Sequence, residues 1–270
     1  MAKFNPDSSV VERVEPSPNF DERPGLARPD MIILHYTGMM STNEALQRLR
    51  DPVARVSSHY LVVESGSIIQ MVPEANRAWH AGVSSWGKDI DINGRSIGIE
   101  IGNPGHDYGY PDFPKRQIAA VITLCRAIQI RHIVRREHVL AHSDVAPSRK
   151  QDPGEKFPWK QLAQSGVGVW VDSAKPGDKV LALGDSGDKV RDLQRDLIDY
   201  GYGLDETSRY DSATREVVTA FQRHFRPARV DGVVDESTWE ALRKLLHLRK
   251  EPAPSSKDSP LDLVLRRPHP

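Results

Sequence analysis

A single cysteine, Cys125, in 270 residues excludes an intramolecular disulfide, so stability has to come from packing or from a metal. It falls in the apolar series Ile118, Val121, Ile122, Cys125, whose helical spacing predicts a buried structural thiol. No apolar run approaches the roughly 18–20 residues that a membrane helix needs, and no membrane span is expected. The opening MAKFNPDSSVVERVEPSPNF lacks the apolar stretch of a secretory signal; that points to the cytoplasm, with periplasm or cell envelope as the alternative. Net charge is also missing, because 37 Lys and Arg face 37 Asp and Glu. No field draws the chain to nucleic acid or to an anionic membrane surface, and neither is an expected partner. Histidine, by contrast, is plentiful. Seven of the ten lie before residue 143, which points to a metal site in the first part of the chain.

At roughly 100–200 residues per domain, the length predicts two cores. Residues 1–30, rich in Pro, Ser and Asp, read as an extended arm. MIILHY (Met31–Tyr36) is a short apolar run ending in His35 and reads as a buried strand. Ser41 and Glu44 form a capping-box pattern that starts a helix. HYLVVE and SIIQMV flank Ser65-Gly66 as a hairpin, and SIGIEIG (Ser96–Gly102) is a further strand carrying a charge, Glu100, in its middle. From Pro114 to about Val134 the positions Ile118, Val121, Ile122, Cys125, Ile128 and Ile130 predict one long helix. VLAH (Val139–His142) returns as a strand, and a turn-rich loop leads to a short helix at Trp159. Strands alternating with helices and hairpins define a mixed α/β first domain over 31–174, with a central sheet flanked by helices.

After Lys175-Pro176-Gly177, which reads as a linker, the texture changes to a small three-helix domain at 178–248. Val190, Leu193 and Leu197 mark one helix. Two Asp-x-x-Thr starts, Asp211 to Thr214 and Asp235 to Thr238, head the others. Residues 249–270 read as a disordered tail containing LDLVL. With such a linker, the catalytic unit should end near Ala174 and work without the helices.

The chemistry concentrates at strand ends. A catalytic zinc takes three N, O or S ligands and keeps a fourth position open; His35, His142 and Asp152 would supply such a set. Metal-assisted hydrolysis further needs a carboxylate to move a proton and a cation for the developing oxyanion. Glu100 and Lys150 match those needs. Each residue also has a structural alternative: a hydrogen-bonded strand-end histidine, a turn cap at Asp152 before Pro153-Gly154, and a solvent-facing Glu100 at a sheet edge.

Four segments, ILHYTG (Ile33–Gly38), RAWHAG (Arg77–Gly82), SIGIEIGN (Ser96–Asn103) and AHSDVAPSRKQDPGEKFPW (Ala141–Trp159), resemble the zinc-dependent N-acetylmuramoyl-L-alanine amidases of the type 2 family. That family is related to peptidoglycan recognition proteins and phage amidase lysozymes. The resemblance implies one zinc per chain on His35, His142 and Asp152, with Glu100 as the catalytic carboxylate and Lys150 steadying the tetrahedral oxyanion. Phage members carry a cysteine at the position of Asp152 and use a tyrosine near the hairpin strand, where this chain has Ser58. Tyr36, Thr37, Trp79 and His80 fall in the matching motifs as candidate cleft residues that bind substrate. His80 is placed there or behind the ligands, since a fourth protein ligand would close the water position. His59 and His106 are weaker candidates for any role.

Leu183–Tyr202, Thr214–Phe225 and Val230–Leu242 resemble the three-helix peptidoglycan-binding domain of cell-wall hydrolases, with a departure at Ser208–Asp211. The implied substrate is peptidoglycan or soluble muropeptides, cut between N-acetylmuramic acid and L-alanine. The alternatives are a non-catalytic peptidoglycan recognition protein and a zinc peptidase acting within the stem peptide.

Overall fold

The computed structural model describes residues 4–25 and 28–250. In chain order the first unit contains β1 (Arg13–Val14), β2 (Phe20–Glu22), β3 (Met31–Tyr36), α1 (Thr42–Arg50), β4 (Tyr60–Val62), β5 (Ile68–Gln70), β6 (Asn76–Ala78), α2 (Ile92–Arg95), β7 (Ser96–Ile101), α3 (Lys115–His132), β8 (Val139–Ala141), α4 (His142–Val145) and α5 (Trp159–Gln164). The second contains β9 (Lys179–Leu181), α6 (Asp188–Tyr200), α7 (Ser212–Phe225), β10 (Val234–Asp235) and α8 (Glu236–Lys250).

Six strands in the order β1-β5-β4-β7-β3-β8 form one mixed sheet in which only the β4–β5 pair is antiparallel. The pleat divides each strand between two faces. Ile32 and Leu34 of β3, Ile97, Ile99 and Ile101 of β7, and Tyr60 and Val62 of β4 pack against Ile118, Val121, Leu124, Cys125 and Ile128 of α3. The intervening residues, among them His35 and Glu100, take the opposite face. This is why a charge can sit within an otherwise apolar strand, one residue before its end. The N-terminal arm is fastened rather than loose: β1 runs parallel to β5, and β2 pairs antiparallel with β6.

Local expectations meet the structure in detail. Ser41 Oγ accepts the Glu44 N–H at 3.2 Å and opens α1. Asp211 and Asp235 accept from the N–H groups of Thr214 and Thr238 at 2.9 and 2.8 Å and open the last two long helices. Cys125 is buried and unpaired. Two readings need correction. His142 does not end a strand; the ladder stops at Ala141 and His142 begins α4. Ile130 is 80% exposed. It stands two residues beyond Ile128, about 200° around a helix of 3.6 residues per turn, and so leaves the apolar face.

The joint at 175–177 is tied down. The Ala174 N–H donates to Glu240 Oε2 at 3.0 Å, the Gly177 N–H to Asp235 Oδ2 at 2.9 Å, and Arg229 Nη2 to the Gly177 carbonyl at 2.9 Å. One apolar core crosses between the two units, joining Ile33, Trp86, Leu140 and Val145 to Leu197, Tyr202 and Phe221. An autonomous catalytic unit ending near Ala174 would expose its half of that core. The helix α8 continues to Lys250, past the expected tail boundary; residues 251–270, LDLVL included, lie outside the described residues.

Candidate metal centre and active site

His35 near the end of β3, Glu100 near the end of β7 and His142 just past β8 all stand at the carboxyl edge of parallel strands, where open α/β sheets place their ligands. The β3–β7 ladder pairs His35 with Glu100 directly. The loop 146–152 folds back over this edge and delivers Asp152, whose carbonyl accepts the Ser143 N–H at 3.0 Å.

Three donor atoms converge. His35 Nδ1 lies 2.9 Å from His142 Nδ1 and 3.1 Å from Asp152 Oδ2, and His142 Nδ1 lies 3.0 Å from the same oxygen. All three residues are buried. The rings' far nitrogens decide what these atoms carry. His142 Nε2 faces the Ala81 carbonyl at 3.0 Å; a carbonyl only accepts, so Nε2 holds the proton and a neutral ring leaves Nδ1 bare. For His35 the chain is longer. The Ser96 hydroxyl donates to the Ile92 carbonyl at 2.6 Å, so Ser96 Oγ accepts from His80 Nε2 at 3.2 Å. His80 Nδ1, 3.1 Å from His35 Nε2, is then the acceptor. His35 therefore carries its proton at Nε2 and turns a lone pair inward.

Burial reinforces this, lowering the His35 pKa to about 4 and that of His80 well below the usual imidazole value. Burial pushes the Asp152 carboxyl up, but positive charge and donated hydrogen bonds on the side of His142 and His35 outweigh it and hold the group well below the usual carboxylate range, so the carboxylate ionises when a proton or a cation stands between it and the rings. Two bare imidazole nitrogens and a carboxylate oxygen about 3 Å apart repel one another unless a cation sits among them. The set therefore fits a divalent metal with two nitrogen donors and one oxygen donor.

Glu100 Oε2 is enclosed and has no hydrogen-bond partner among the described residues. Burial and the Asp152 charge push its carboxyl well above the ordinary value, against the pull of Lys150. It lines a cleft of about 300 Å³ together with His35, Tyr36, Thr37, Trp79, His80, His142, Lys150 and Asp152. The structure thus brings every residue singled out for the site to one mouth. His80 stands behind His35 rather than among the donors, and Gly98 makes room for it: a Cβ there would meet the His80 ring at 2.4 Å. Trp79 is half-buried on the wall. Ser58 is no substitute for a catalytic tyrosine, since its hydroxyl is spent on the Gly98 and Tyr60 carbonyls at 2.7 and 3.1 Å.

Sequence reasoning missed the wall contributed by α1, where Ala45, Arg48 and Leu49 face the cleft. Their i, i+3, i+4 spacing puts the three on one side of α1, and nothing in the sequence says what that side faces. It also undervalued His106. That ring bonds Tyr36 Oη at 3.0 Å and Glu155 Oε2 at 3.2 Å, bracing the tyrosine next to His35.

A donor set that could hold a cation, beside an enclosed carboxylate, is the arrangement of a hydrolase with a candidate metal site built at a sheet edge. The N-acetylmuramoyl-L-alanine amidase family profile matches residues 25–155, and that of a putative peptidoglycan binding domain matches 186–242. The N-acetylmuramoyl-L-alanine amidase AmiD of Escherichia coli is 37% identical over 238 residues, covering 81% of this chain and 83% of AmiD. Its complex with anhydro-N-acetylmuramic acid-L-Ala-D-γ-Glu-L-Lys superposes with a TM-score of 0.71 at 34% identity, covering 84% of this chain and 92% of that one. AmpDh3 from Pseudomonas aeruginosa gives a TM-score of 0.71 at 29% identity, covering 93% of this chain and all of that one. The chain belongs to the N-acetylmuramoyl-L-alanine amidase family, and its catalysed reaction is hydrolysis of an amide.

Proposed function

We propose that the chain binds one zinc ion through His35, His142 and Asp152 and cleaves the amide between N-acetylmuramic acid and L-alanine, in soluble anhydro-muropeptides and in peptidoglycan. The observation that carries this reading is the trio of bare donor atoms within 3.1 Å of one another beside an unpartnered Glu100 Oε2. Zinc held there supplies Lewis acidity, polarising the scissile carbonyl and making water more acidic. Glu100 takes the proton of the attacking water at its enclosed carboxylate as the C–O bond forms. It then returns that proton to the nitrogen of L-alanine as the C–N bond breaks, leaving a lactyl carboxylate and a free amine. Lys150 turns its ammonium toward the oxygen on which negative charge gathers. Tyr36, Thr37 and Trp79 line the wall against which sugar or peptide lies.

The anhydro-muropeptides bound by AmiD and AmpDh3 support the soluble substrate. The match of residues 186–242 to a peptidoglycan-binding domain supports the polymer and with it a cell-envelope setting. Among the described residues no helix is long and apolar enough to cross a membrane. A non-catalytic recognition protein would be expected to lack part of the donor set, and here all three donors are present with Glu100 and Lys150.

The test is metal analysis with product analysis. The purified chain should hold one zinc, lose activity to a strong chelator and regain it with zinc. His35→Ala, His142→Ala and Asp152→Ala should each lose metal and activity. Mass spectrometry of digests of anhydro-muropeptides and of intact sacculi should show free stem peptide beginning with L-alanine. Full activity in a chain without metal, or cuts only inside the stem peptide, would overturn the reading.

A further inference from the structure

Asp144 belongs neither to the donor set nor to the cleft wall, yet three donors converge on its fully buried carboxylate. The Ala141 N–H donates to Oδ2 at 2.8 Å and His224 Nδ1 donates to the same oxygen at 2.6 Å, while the Tyr202 hydroxyl donates to Oδ1 at 2.8 Å. The first bond is local and satisfies an N–H at the start of α4 that the helix itself cannot pair. The other two come from the helical unit. The His224 ring is stacked against Trp159 at 3.7 Å and Phe225 at 3.8 Å, and among the described residues its Nε2 has no hydrogen-bond partner and Asp144 is its one polar anchor.

His142 is the first residue of α4, two before Asp144, so whatever fixes this short helix fixes the backbone of a metal donor. The ring of His142 has a second support, the Ala81 carbonyl, and that support also leads to the helical unit. In the loop that follows Ala81, the Ser85 N–H donates to the Val145 carbonyl of α4 at 2.8 Å, and the Gly87 N–H donates to the Gly201 carbonyl at 2.6 Å. Between them Trp86 stands edge-on to Tyr200 and Tyr202 at 5.9 and 5.1 Å. Backbone and ring of one donor therefore both rest on the end of α6 and on α7.

We infer that Tyr202 and His224 are positioning residues for the metal centre, holding His142 in its ligating place through Asp144. The helical unit is thereby a working part of the catalytic site, besides any grip it has on polymer. This inference rests on reading His142 as a zinc ligand. Removing the groups that orient a ligand typically weakens metal binding about 10–100-fold, because the donor has to be ordered at the moment of binding.

The experiment uses the full chain and compares the parent with Tyr202→Phe and the double variant Tyr202→Phe/His224→Gln. Zinc affinity is read by competition with a chromogenic chelator, site geometry by the visible spectrum of the cobalt-substituted chain, and turnover on a soluble anhydro-muropeptide. The double variant should bind zinc at least about 10-fold more weakly, shift the cobalt bands, and lose kcat with KM unchanged. A double variant that melts at a lower temperature but keeps the parent's zinc affinity and cobalt spectrum would overturn the inference. If the double variant does not fold, Tyr202→Phe, which removes one hydroxyl, decides in the same way. A His142→Ala chain that still holds its zinc overturns the ligand reading itself, a failure distinct from intact binding in the brace variants.

Discussion

His35 and Glu100 are direct partners in the parallel ladder of β3 and β7. The proposed metal donor and the proposed proton carrier therefore stand side by side on one face of the sheet, about 5 Å apart along the hydrogen-bonding direction. Their spacing is set by backbone pairing rather than by a loop. Exchange of the carboxylate for an amide keeps the shape and removes the proton acceptor. Glu100→Gln should retain zinc and lose about 10²–10⁴-fold in turnover. A variant as fast as the parent on a muropeptide would make Glu100 structural.

The role proposed for Lys150 is to meet a charge that exists mainly in the transition state. Lys150→Ala should lower kcat by a larger factor than it raises KM. Steady-state kinetics on a soluble anhydro-muropeptide would show it; a change confined to KM would instead make Lys150 a substrate-binding group.

Glu74 gives the fold an acid limit. Burial opposes its ionisation, but hydrogen bonds from His132, Arg131 and Tyr60 win and hold its pKa at about 2, against 4.5 when free. A carboxyl held down in the folded chain stabilises above its free pKa, and that support is lost as the pH falls from 4.5 toward 2. At about 1.4 kcal/mol per pH unit, the contribution at neutral pH is of the order of 3 kcal/mol. Glu74→Gln should lower stability at pH 7 by a few kcal/mol, because it leaves Arg131 and His132 short of a partner. It should also flatten the acid limb. Denaturant melts at pH 7 and pH 3 would measure both, and equal losses at the two pH values would refute the assignment.

The core that joins Trp86, Leu140 and Val145 to Leu197, Tyr202 and Phe221 predicts one unfolding event for two matched families. Calorimetry of the full chain should give a single transition, and a chain ended at Ala174 should be less stable and less active even on small substrates. Two separated transitions would show that the units unfold independently.

Strand and helix starts were legible in the sequence because each is a local decision. Alternating apolar residues in SIGIEI, the Ser41 cap and the two Asp-x-x-Thr starts need nothing beyond a few neighbours. The candidate site was legible for a related reason: His35 and Glu100 stand near the ends of their strands and His142 directly follows one, where chemistry gathers. What stayed hidden depends on distant contacts. Composition made Lys175-Pro176-Gly177 a linker, and nothing local to it says that Trp86 and Val145 share one apolar core with α6 and α7. Asp144 looked like one more polar residue beside His142, because its partners Tyr202 and His224 lie 58 and 80 residues away.

The hydrogen-bond chain from the Ile92 carbonyl through Ser96 and His80 to His35 has a further consequence, which concerns populations. A neutral imidazole exists as two tautomers, and nothing in the shape of His80 selects between them; the Ser96 hydroxyl does, by offering only a lone pair. In a Ser96→Ala chain the other tautomer of His80 becomes available, and His35 then has to accept at Nε2 and keep its proton at Nδ1. Such molecules have every donor in place and cannot bind metal. Apparent affinity would fall as the reciprocal of the competent fraction, while the molecules that do bind would present an unchanged site. Metal binding at this donor set would be a matter of proton order, fixed by a serine two hydrogen bonds from the His35 ring.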